Sequence, residues 1–120
     1  YRQPAPGKHS IAEIVAHMEY WRTSFVDQLK GGSTSLSGES PDNWPDVKVL
    51  KKQGWQNQLN AFDDTHQQLV TLLNKSKALP EELISNLNGL VDHDIYHIGQ
   101  IGLIKSLVKE LSYQTTISIA

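Results

Sequence analysis

Gly89-Leu90-Val91-Asp92-His93-Asp94-Ile95-Tyr96-His97-Ile98-Gly99-Gln100-Ile101 decides how this chain is read. Leu90, Asp94, His97 and Ile101 recur at three-to-four spacing, which places them on one face of a helix. His93 and His97 stand four residues apart, so their imidazoles project from neighbouring turns of that face, the geometry of a chelating pair. Outward from this stretch the pattern continues. Leu83 and Leu87 precede it and Ile104, Val108 and Leu111 follow, with Asp94 and His97 as two polar residues set in the middle of an apolar stripe. Pro80-Glu81-Glu82 supplies a helix start, with proline in the first turn and acids near the positive end of the dipole. The spacing predicts one continuous helix from about residue 80 to about residue 111, uninterrupted by Asn88-Gly89. The tail Gln114 to Ala120 is β-branched and reads as a strand, a frayed end or a remnant.

Upstream, Trp55, Leu59, Phe62, His66, Leu69 and Leu73 repeat at four-three-four-three spacing, the narrow seam of a bundle helix that ends near Lys77. Gly54 weakens its extension back to Val47, so the first turns are expected as a kink or a separate short helix. Gly31 to Pro45 is rich in Ser, Gly and Pro and reads as a loop placed to cap a site. Before it, Ser10 and Glu13 form a capping box, and Ile11, Ile14, Val15, Met18, Trp21 or Arg22, Phe25 and Leu29 paint one apolar stripe. That helix spans about residues 11 to 30 and stops at Gly31-Gly32. The opening Tyr1 to Lys8, with Pro4, Pro6 and Gly7, is extended. No strand alternation, repeat or glycine-rich phosphate loop occurs, so the fold class is all-α. Three long amphipathic helices invite a fourth, from upstream of Tyr1 or from a partner subunit.

The 120 residues suffice for one domain with a core of ordinary density, so a bound metal is expected to be functional rather than needed for folding. There is no cysteine, which excludes disulfides and limits metal ligands to nitrogen and oxygen. A net charge of -2 leaves no basic surplus, which argues against a nucleic-acid partner. No apolar run is long enough to cross a membrane and no signal-peptide pattern opens the chain, so a soluble cytoplasmic protein is expected.

Two histidines need a third ligand from elsewhere. His17, at the edge of its helix's stripe between Ile14 and Trp21, is one candidate, and His66, which interrupts the seam of the second helix, is its rival. Position does not choose between them. His9 precedes the cap and is expected in solvent. Without a metal, His93 and His97 are two core-edge histidines bonded to carbonyls or to Asp92 and Asp94.

Pro6-Gly7-Lys8-His9-Ser10-Ile11-Ala12-Glu13-Ile14-Val15-Ala16-His17, followed by Trp21-Arg22, together with Gly89 to Ile101, resembles the DinB/YfiT-like superfamily, whose members are read as metalloenzymes. The resemblance implies an up-down four-helix bundle whose first helix precedes the Pro-Gly segment. It also implies a divalent metal, zinc or nickel, held by His17, His93 and His97, with His66 no ligand. Two departures stand out: His9 occupies a position where many relatives have tryptophan, and the stretch from Lys77 to Ser85 is shorter than the family's loop.

Three neutral imidazoles leave a metal's double charge uncompensated, which acidifies a bound water and polarises a bound carbonyl. The same site can take an external thiol as thiolate. The resemblance implies a transferase using a low-molecular-weight thiol, which the absence of cysteine requires to come from outside. A metal-dependent hydrolase and a non-catalytic metal-binding bundle are the alternatives. Asp94, Gln100 and Tyr96 are the candidates for groups around the ligands: Asp94 to orient His97, Gln100 to bond a water or bridge helices, Tyr96 to pack or do acid work. Asp92 is placed to support His93, and Glu13 is assigned to capping. No residue reads as a general base. The expected partners are a small-molecule substrate and a second copy of the chain, since a bundle short of a helix has an apolar face to cover.

Overall fold

In a computed structural model the described residues are 1–31 and 37–119, with side chains to residue 109. Among the described residues the helices are α1 (Ile11–Gly31), α2 (Val47–Gln53), α3 (Trp55–Lys75) and α4 (Glu81–Ile119), with a 3₁₀ turn at Pro41–Asn43 before α2. No strand occurs among the described residues. Part of the loop expected over residues 31–45, namely 32–36, lies outside them.

The capping box forms as its spacing requires. The Ser10 amide and hydroxyl both donate to Glu13 Oε1 at 3.0 Å, and the Glu13 amide donates to Ser10 Oγ at 3.3 Å. Helix α1 is the centre of the assembly, packing along both α3 and α4, which make no backbone approach to each other. Phe25 and Val26 of α1 meet Leu69 of α3 and Leu90 of α4, while Ile14 and Met18 meet Ile104 of α4. Phe25 and Ile14 are among the largest side chains fully removed from water, each worth about 1.5–3 kcal/mol of transfer free energy.

The break before α3 occurs at Gly54, which adopts φ 90° and ψ 143°. That conformation is nearly closed to residues with a Cβ, so Gly54→Ala is expected to cost about 1–3 kcal/mol, read as a lowered urea midpoint at unchanged m.

The stripe read along α4 holds: Leu90, Asp94, His97 and Ile104 are buried, and Leu83, Leu87, Ile101 and Val108 half-buried. The side chain of Leu111 lies outside the described residues. The helix runs on to Ile119, past the expected end near Leu111, because no Gly or Pro follows Gly102 to stop it and β-branched residues only lower helix propensity. The seam of α3 differs from the reading. Its buried residues are Gln58, Thr65 and Leu69, while Trp55, Leu59 and His66 are exposed. Two polar side chains turn the helix: Gln58 Nε2 donates to the Ala12 carbonyl at 2.6 Å, and Thr65 Oγ1 donates to Glu19 at 3.3 Å. The hydrogen bonds outrank the apolar count because a buried amide without a partner is expensive.

Candidate metal centre

His17 sits near the middle of α1, and His93 and His97 on adjacent turns of α4 where the two helices pack. Their imidazoles converge. His93 Nε2 lies 2.9 Å from His17 Nε2 and 3.1 Å from His97 Nε2, and one nitrogen of each ring falls within 4.8 Å of the other two. A tetrahedral ion with metal–nitrogen distances of about 2.0–2.1 Å separates its ligand nitrogens by a little over 3 Å, so the cluster needs only slight opening to hold one.

The outward-facing nitrogens explain why. His17 Nδ1 lies 2.8 Å from Asn43 Oδ1 and 3.1 Å from the Asn43 carbonyl, and His97 Nδ1 lies 2.6 Å from Gln100 Oε1. These partners are oxygens that only accept, so the proton belongs on Nδ1 of each ring and Nε2 keeps a bare lone pair. His93 Nδ1 faces Asp94 Oδ1 at 3.7 Å, too far for a hydrogen bond, so neither atom has a hydrogen-bond partner among the described residues. Three ring nitrogens converge on one spot, and those of His17 and His97 keep their lone pairs toward it. Burial pushes the pKa of His17 below the ordinary imidazole range, against the opposing pull of the Asn43 oxygens, and burial with the nearby His97 does the same to His93. Both rings are thus held in the neutral form that a metal requires.

The segment after residue 36 clamps this cluster. Tyr20 Oη donates to the Ser37 carbonyl at 2.6 Å and accepts from the Ser37 amide at 2.8 Å, while Asn43 Nδ2 donates to the Gly38 carbonyl at 3.0 Å. Ser40 caps the 3₁₀ turn with Pro41 in its first position, which delivers Asn43 and Trp44 onto α1. The Trp44 indole is sandwiched between His9 and His17, stacked on each at a centroid distance of 3.8 Å and an interplanar angle of 7°. Asn43 and Trp44 were not singled out from sequence. The Ser-Pro start of their turn is a local signal, but nothing local ties it to a histidine 26 residues away.

A sequence model of the DinB superfamily matches residues 1–101, from the opening segment through both histidine-bearing helices. The chain belongs to the DinB superfamily. No curated protein and no solved structure matches it.

Within this DinB-superfamily bundle the residues around the cluster divide by what they touch. Asp94 is buried, and its carboxylate pairs with Arg22 of α1 at 2.5 Å and faces His93, not His97 as expected from spacing. Gln100 holds its oxygen on His97 Nδ1. A three-residue offset puts it one turn along the same face, within reach of the ring it orients. Tyr96 packs edge-on against His97, at a centroid distance of 5.1 Å, with most of its side chain exposed. Asp92 is exposed and makes no contact with the cluster. His66 is exposed beside Arg22, with Nδ1 3.2 Å from Nη1, and stands apart from the three. His9 is not simply solvated: it stacks on Trp44 and lies 3.0 Å from Glu13 Oε2.

The lowered imidazole values carry a pH signature. As pH falls through roughly 6.5, the unfolded chain takes up protons at His17 and His93 while the folded chain does not, so stability falls with pH in that window. Urea midpoints of the metal-free protein are expected to drop between pH 7 and pH 5, and to drop less in His93→Gln.

Proposed function

We propose that this bundle holds one divalent metal, zinc or nickel, on His17, His93 and His97 and uses it in a transferase reaction with an external low-molecular-weight thiol. The observation that carries the reading is the convergence of three imidazole Nε2 atoms, two of them kept unprotonated by acceptor-only partners on Nδ1. When bound, such a metal supplies Lewis acidity at an open coordination position, which favours a thiol in its thiolate form. The protein's share is orientation. Asn43 and Trp44 fix the His17 ring, Gln100 fixes His97, and Asp94 with Arg22 backs His93. The thiol is external because the chain has no cysteine.

The exposed apolar side of α4, with Ile95 63% and Ile98 60% accessible, supports a homodimer. No helix among the described residues is long and apolar enough to cross a membrane, and we place the protein in the cytoplasm acting on a small molecule, with residues 1–120 as one DinB-like domain. A metal-binding bundle without turnover is the second reading. It is favoured by one observation: the carboxylate nearest the cluster, Asp94, is committed to Arg22. A metal-dependent hydrolase shares the same ligands and differs in needing no thiol.

Elemental analysis of protein purified without a histidine tag is expected to return one zinc or nickel per chain. Thiol and electrophile panels are then expected to react only with metal-loaded protein. Ester or amide cleavage without thiol would mark a hydrolase, and bound metal without any turnover would mark the non-catalytic bundle.

A further inference from the structure

Between α1 and α4, beside the histidine cluster, lies a cavity of about 400 Å³. His93 is the one metal-site residue in its wall, so the cavity reaches the edge of the cluster at that end. Trp21 and Phe25 of α1 and Leu90 of α4 form its apolar surface. At the far end Asn86 Nδ2 donates to Gln28 Oε1 at 2.8 Å, which leaves Asn86 Oδ1 and the second hydrogen of its Nδ2 for another partner. Asn86 precedes His93 by seven residues, about 10 Å along a helix at 1.5 Å per residue.

Its lining among the described residues carries no carboxylate, ammonium or guanidinium; apart from His93 and the Trp21 indole, the polar side chains there are carboxamides and hydroxyls. A charged ligand would find no counter-ion in that wall. Gly89 completes the α4 wall, and a Cβ built on it meets nothing within 4 Å. Mid-helix glycine is unfavourable relative to alanine, and no neighbouring side chain requires it here. It leaves that part of the wall without a side chain.

We infer that this cavity seats the substrate that reacts at the cluster, and that this substrate is an uncharged molecule with a flat apolar body and a carboxamide or hydroxyl group about 10 Å from its reactive end. The inference rests on the metal-site reading for the word substrate, but the binding it requires is measurable without metal. The Gln28–Asn86 pair reads the polar end, Trp21, Phe25 and Leu90 hold the body, and the reactive end lies at His93.

The test uses 4-phenylbutanamide and its charged isostere 4-phenylbutanoate as probes, titrated calorimetrically into the metal-free chain. The amide is expected to bind at least ~10-fold more tightly than the carboxylate, the factor that about 1.4 kcal/mol produces. Gly89→Leu, whose side chain enters the cavity and raises helix propensity, is expected to weaken the amide by ~10-fold or more while melting no lower than the parent. Asn86→Leu is expected to weaken the amide but not butylbenzene, which separates loss of the polar end from misfolding. Equal binding of amide and carboxylate, or amide binding unchanged in Gly89→Leu, overturns the inference. Metal content, measured separately on the parent, decides the metal reading on its own, so either can fail while the other stands.

Discussion

His93→Ala is expected to abolish stoichiometric metal binding while leaving the bundle folded. His93 Nε2 is the shared neighbour of the other two ligand nitrogens, so its loss leaves His17 and His97 without the member that brings them into one group. If the roughly 10–16 kcal/mol of a four-ligand structural zinc site is shared evenly, one ligand is worth about 3–4 kcal/mol, or roughly 10²–10³ in affinity. Competition with a chromophoric chelator measures this directly. His66→Ala serves as the control, because His66 is exposed and outside the cluster, and it is expected to bind as the parent does. The helix content of His93→Ala is expected to match the parent, since His93 is half-buried and packs none of the three apolar clusters.

Asp94→Ala is expected to have the largest effect on stability. Asp94 and Arg22 pair with side chains only 12% and 11% accessible, and Arg22 also lies 4.5 Å above the Phe62 ring and reaches His66. One carboxylate thus ties together α1, α3 and α4. Removing it strands a guanidinium that is already short of a partner at Nε. Breaking a buried pair from one side costs about 3–5 kcal/mol, and the lower end applies to a pair at the edge of the core. For a chain of this length that is a fall in melting temperature of roughly 10–15 °C. Metal affinity is expected to fall as well, by about 10–100-fold, as for other groups that back a ligand histidine. Asp94→Asn keeps the shape and one acceptor oxygen, so it is expected to recover most of the stability and less of the affinity. Thermal melts with and without metal separate the two effects.

The parts of this structure that sequence made legible are those whose cause is local. The Ser10–Glu13 cap, the stripe from Leu83 to Val108 and the spacing of His93 and His97 each follow from the pitch of one helix, and each appears where its pattern places it. Spacing alone leaves His17, at the edge of one apolar stripe, and His66, inside another, as equal candidates. The physical difference lies in the turn of α3, where Gln58 and Thr65 bind α1 and carry His66 outward. Hydropathy scores those two residues as surface and cannot register the partners that bury them. Asn43 and Trp44 escaped for a related reason: a 3₁₀ turn has too few residues to show periodicity, and its contact with His17 is set by the path of the chain across α1. Spacing locates Asp94 and Gln100 on the histidine face without saying which ring their terminal oxygens meet: Asp94 faces His93, and Gln100 meets His97.

The claim at the centre of this account is that His17, His93 and His97 share one ion. X-ray absorption at the metal edge of the loaded protein tests it most directly. The expected spectrum has three imidazole nitrogens at about 2.0–2.1 Å with their outer-ring scattering, together with at least one light-atom ligand that a small thiol replaces with sulfur. A first shell with two imidazoles or fewer, or one completed by carboxylate oxygens from the chain, would contradict it.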